Sequence, residues 1–131
     1  MSASNYLEEA MLNHFFKNIS QTSPANLYLA LYISNPTDAD TGTEVSGGGY
    51  ARQQISFGAI SQVSGRATIS NSAKIEFPAA TASWGTVAYF AIRDAATGGN
   101  LLAFDAFQTA KEVQISDKIE LAVGALSVSL D

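Results

Sequence analysis

At 131 residues the chain has the length of one ordinary domain and enough mass for a real core. Only 15% of its residues are charged, and its net charge is −5 with seven scattered basic residues, a balance that argues against nucleic acid and anionic membrane surfaces as partners. The absence of cysteine excludes disulfides, thiolate metal sites and cysteine nucleophiles.

"NYLEEAMLNHFFKN" opens the chain's one helical pattern. Asn5 with Glu8 reads as a capping box. Leu7, Met11 and Phe15, and beside them Leu12, Phe16 and Ile19, recur at helical spacing, which predicts an amphipathic helix over about 5–19. Glu8 and Glu9 stand where a secretory leader would be basic, so no cleaved signal is expected. No apolar run approaches the ~18 residues of a membrane-spanning helix.

Pro24 and its Ser/Thr neighbours end that pattern. "NLYLALYIS" follows as a strand with two apolar faces, so it should be covered on both sides, with the helix on one of them. Residues 35–49, "NPTDADTGTEVSGGG", carry no apolar periodicity. They predict a long loop, and loops of that length are commonly functional or mobile. Beyond it come short strand-like runs with turn punctuation: "YARQQISFG", "VSGRATI" around Ser64-Gly65, "KIEFPAA" ending at Pro78, "GTVAYFAIRD", then "ATGGN" and "LLAFDAF". Val113/Ile115, Ile119/Leu121/Val123 and Leu126/Val128/Leu130 add three more, with turns at Ser116-Asp117 and Gly124. Seven to nine strands at regular spacing predict an all-β fold: a single jelly-roll-like β-sandwich, residues 1–131, with one N-terminal α-helix.

Candidate chemistry thins out on inspection. Gly47, Gly48 and Gly49 lack the lysine and following helix of a phosphate loop, so they read as a hinge into the strand at Tyr50. Asp38, Asp40 and Glu44 cluster beside Gly42 but do not keep a calcium-loop register, so a solvated acidic loop is the simpler reading. His14 is the single histidine, and a packed imidazole is its default. Glu76, Asp94, Asp105, Glu112 and Glu120 fit exposed strand positions better than a glycosidase pair. Trp84 sits in the small-residue stretch "AATASWGT". It could anchor an interface or a sugar, or close the end of the sandwich. No catalytic constellation, cofactor site or metal site emerges.

"TEVSGGGYAR" and "FPAATASWGTVAYFAIRDAATGGN", with "NYLEEAMLNHFF" and "GALSVSLD", resemble a family of small tailed-bacteriophage virion proteins labelled tail-fibre or head-decoration proteins. The resemblance runs nearly end to end. It implies a non-enzymatic structural role in the virion, with other virion proteins as partners. The function expected from it is a capsid decoration (cement) protein on the major capsid protein's outer surface, with a tail or tail-fibre component as the alternative. A carbohydrate-binding β-sandwich is a second alternative. A homo-oligomer, a trimer by lattice symmetry, is expected. The contact residues expected are Asp38, Asp40, Glu44, Gly47, Gly48, Gly49, Tyr50 and Trp84, together with the exposed face of the helix.

Overall fold

The computed structural model describes residues 1–130. Its strands are β1 (Ser2–Ala3), β2 (Leu27–Tyr32), β3 (Gln53–Ile55), β4 (Ser61–Val63), β5 (Arg66–Ser70), β6 (Ile75–Glu76), β7 (Gly85–Arg93), β8 (Leu101–Val113), β9 (Glu120–Leu121) and β10 (Ser127–Leu130), with one helix, α1 (Asn5–Phe16). All pairings are antiparallel. One sheet runs β1-β8-β7-β2-β3, a second β10-β5-β4, and β6 pairs with β9. The result is sandwich-like and mostly β, as the strand periodicity predicts.

The main core lies between the large sheet and the small ones. Leu29, Leu31, Ile55, Val87, Ile92 and Val113 meet Ile75, Phe77 and Leu126 there. The other face of β2 is also buried: Ala30 and Tyr32 join Ala91, Leu101 and Phe104. That two-sided burial is why "LYLALY" has no polar alternation. The helix, however, packs beside β8 rather than over β2.

Turn chemistry fixes the hairpins. Ser64 and Gly65 both take positive φ (52° and 78°) between β4 and β5, as a type I′ turn requires. Asn71 ties the small sheet to its neighbours from inside. Its side-chain carbonyl accepts from the Leu126 N–H at 2.9 Å, and its amide donates to the Ala73 and Ala122 carbonyls at 2.8 and 3.0 Å. The hydrogen bonds of a buried amide so fully paired offset its loss of water. Between β7 and β8 the register slips between Val87 and Tyr89, so Phe107–Ala110 bulge from the long strand.

The helix boundaries differ from the sequence expectation at both ends. Ser4, not Asn5, is the N-cap: its hydroxyl accepts from the Leu7 N–H at 3.2 Å and donates to the Leu101 carbonyl. The helix stops at Phe16 rather than Ile19. Asn18 adopts φ +56°, and the Ile19 N–H returns to the Asn13 carbonyl at 2.9 Å. His14 is not packed inside: it is exposed, with Phe15 edge-on to its ring at 4.8 Å.

Candidate interaction site

The segment 35–49 is folded onto the sheet. Ile33 donates to the Thr43 carbonyl and Val45 to the Leu31 carbonyl, each at 2.9 Å, so residues 43–45 return alongside the end of β2. Pro36 and Val45 are buried. The long loop is therefore packed onto the sheet, with one isolated bridge between Glu44 and Tyr32, and Val45 enters the core.

Two arginines hold its acidic residues. Arg93 makes a two-pronged contact with Asp40, at 2.8 and 2.9 Å, and donates to the Tyr32 hydroxyl at 2.7 Å. Arg52 grips Glu44 in the same way, at 2.7 and 2.8 Å. Their remaining N–H groups reach across to the turn after β7. Arg52 donates to the Ala95 and Gly98 carbonyls at 2.8 Å, and Arg93 to Gly99 at 2.9 Å. The fork of a guanidinium suits this, since one side chain satisfies a carboxylate and backbone carbonyls together. Three segments distant in sequence become one plate at the end of the sandwich. Asp40 and Glu44 are thus ion-paired, not simply solvated. Asp38 is exposed, and its backbone carbonyl accepts from the Asn5 N–H at 2.9 Å.

Burial works to raise the Glu44 carboxyl, but hydrogen bonds from Arg52 and Tyr50 outweigh it and hold the group below its usual range. Burial pushes the Tyr50 phenol well above its ordinary value, and its bond to the Glu44 carboxylate adds to the effect. The same hydroxyl donates to Glu44 at 2.7 Å and accepts from the Leu31 N–H at 3.0 Å. Tyr50 therefore serves as a strut between Glu44 and β2.

Gly47, Gly48 and Gly49 all take positive φ. Gly48 is the tightest: a Cβ there would stand 2.9 Å from the Ala82 carbonyl oxygen and from the Trp84 ring. Its own carbonyl accepts from the Trp84 indole N–H at 2.8 Å and from the Thr81 N–H at 2.9 Å. Trp84 is 4% exposed, edge-on to Tyr50 at 5.5 Å and to Phe77 at 6.5 Å. Trp84, a candidate anchor for an interface or a sugar from its sequence context, instead closes the core.

The carboxylates on strands have structural company. Glu76 and Glu120 face each other across β6 and β9, a like-charge pair bridged by Lys74 at 2.6 and 3.2 Å. Lys118 adds a contact at 2.6 Å, and the Lys118 and Lys74 cations together bring Glu76 down to about 2.

The helix is built the opposite way. None of its residues is buried. Leu7, Ala10 and Met11 are half-buried on the inner side, where a groove runs between α1 and residues 21–24. Phe15, of the same stripe as Leu7 and Met11, lines that groove yet is 73% exposed, and on the outer side Leu12 is 56% and Phe16 81% exposed. The second of the two apolar stripes thus faces outward. Among the described residues, α1 carries more exposed large apolar side chains than any other element.

Residues 2–129 match the family described as podophage GP4 fiber I protein gp80, and the chain belongs to that family. It is a small structural protein of the tailed-phage virion, of the tail-fibre type, and it associates with other virion proteins. No curated protein matches the chain.

Proposed function

We propose that the chain is a non-enzymatic component of a phage tail fibre, one β-sandwich that joins its neighbours through the outer face of α1. The observation that carries this reading is the bare ridge of Leu12 and Phe16 on a helix with no buried residue. Large apolar side chains held at that exposure gain about 1.5–3 kcal/mol each when covered, which is the driving force for assembly. The family description names a fibre, which favours the tail over the capsid surface. The end plate supplies rigidity: its arginines hold Asp40 and Glu44 in place, so the Asp38–Tyr50 segment offers a fixed outline to a neighbour.

Copy number in imaged particles tests the location. A fibre component is present in a handful of copies at the tail, whereas hundreds of copies over the shell would mean a decoration protein. Incorporation tests the surface. Particles assembled with Phe16→Ser protein should lack it, while the purified variant stays folded. Full incorporation of that variant would remove α1 from the interface.

A further inference from the structure

We infer that the occupant of the α1 ridge is a second copy of the same helix, laid antiparallel about a twofold axis. The inference rests on the reading of α1 as the assembly face and adds the partner and its orientation.

The charge pattern carries the argument. Residues 1–25 contain three charged side chains: Glu8 and Glu9 at the start of α1, and Lys17 at its end. All are exposed, and neither Glu9 nor Lys17 has an ion-pair partner among the described residues. On a helix of 3.6 residues per turn, Phe16 lies about 40° round from Leu12. Glu9 and Lys17 both fall on that same side of the ridge, and Glu8 falls on the other. A twofold axis between Leu12 and Asn13 sets Glu9 level with Phe16 of the second copy. Lys17 of that copy then lies about 1.5 Å further along the axis. A twofold axis perpendicular to the plane of the two helices keeps a flank on its own side, so Glu9 and Lys17 of opposite copies meet along one edge. The axis generates this pair twice.

The apolar residues agree with the same register. Leu12 meets Leu12 at the axis, and each Phe16 lies between Leu12 and the Glu9 stem of the other copy. The helix dipoles also oppose head to tail. A parallel pair or threefold bundle instead packs this flank against the opposite flank of its neighbour, which sets Glu9 beside Glu8 of the next copy, acid against acid with no lysine at that level, so self-pairing of this face selects the antiparallel dimer over the trimer expected from lattice symmetry.

Sedimentation of the purified full chain over a concentration range tests this, with circular dichroism confirming the β-fold of each variant. The wild type should dimerise reversibly. Glu9→Lys or Lys17→Glu alone turns both symmetry-related pairs repulsive and should weaken the dimer by about 3- to 10-fold. The double variant E9K/K17E restores opposite charges across the axis and should recover near-wild-type association. The outcome discriminates, because the two charges also complement the helix dipole within one chain. If that were their sole role, the double variant would be the worst of the three. A wild type that is monomeric at every concentration, a trimer, or a double variant no stronger than the singles overturns the antiparallel pairing. The assembly-face reading fails separately, by incorporation of Phe16→Ser protein into particles.

Discussion

The glycine-rich end of the molecule and its N-terminal helix exchange the roles their compositions suggest. The stretch from Asn35 to Gly49 is polar, acidic and rich in glycine, yet it buries Pro36 and Val45 and is gripped by two arginines. The helix carries two apolar stripes, yet none of its residues is fully buried. Side-chain polarity alone therefore does not tell which segment is locked. What decides is whether each polar group finds its partner, and whether each apolar face finds cover.

The comparison breaks most violently at Trp84. Replacing it with alanine empties the contact with Tyr50 and Phe77 and orphans the Gly48 carbonyl, and should cost about 3–5 kcal/mol in denaturant unfolding. A loss below about 1 kcal/mol would mean that the aromatic cluster is not part of the cooperative core. Arg52→Ala comes next, at about 2–3 kcal/mol, because it strands the partly buried Glu44 and releases two carbonyls of the 95–98 turn. Amide exchange should rise in both the 43–50 and 95–99 segments together. Exchange confined to one of them would show that they are not a single plate.

Two glycines one position apart sharpen the point. Gly48→Ala brings a methyl against the Ala82 carbonyl and Trp84 at positive φ, and should cost about 1–3 kcal/mol. Gly47→Ala meets nothing within 4 Å, so only its φ of +74° counts, about 1 kcal/mol. Equal losses would show that space around Gly48 is irrelevant. Acid tests the same end differently. Glu44 titrates lower in the folded chain than its usual 4.5, so the unfolded state takes up its proton first as pH falls. Its contribution is fully present above about 4.5 and disappears as pH drops through the lower folded value. Glu44→Gln should therefore flatten the acid limb of stability against pH, and an unchanged limb would assign that limb to other carboxylates.

Much of this was legible from local pattern. The helix, the Ser64-Gly65 hairpin and the strands at β2, β7 and β10 follow from periodicity and turn residues, which act over a few positions. The candidate site was legible only in part. Asp40 and Glu44 stand out as acidic, but their partners do not: Arg93 is 53 positions from Asp40. Trp84 gives no periodic signal in "AATASWGT", and its burial depends on a glycine backbone 36 positions earlier. The two apolar stripes of α1 were visible too, but periodicity cannot say which stripe the body covers. Leu7 and Met11 turn inward beside β8, and Leu12 and Phe16 are left outside.

That last division gives the smallest expected effect on stability and the clearest contrast with Trp84. Leu12→Ser and Phe16→Ser together should change the unfolding free energy by no more than about 0.5 kcal/mol each, since neither side chain has a packed site to lose. The serines should instead lower binding of a fluorescent apolar dye to the native protein, which reads exposed ridge rather than stability. Both readouts are needed. A stability loss above about 1 kcal/mol would mean that the ridge packs within the chain, and unchanged dye binding would mean that it is not the apolar surface the folded protein presents. If both hold, two aromatic-rich segments of one small chain have opposite physical roles. Trp84 holds the chain to itself, and Phe16 is held in reserve for its neighbours.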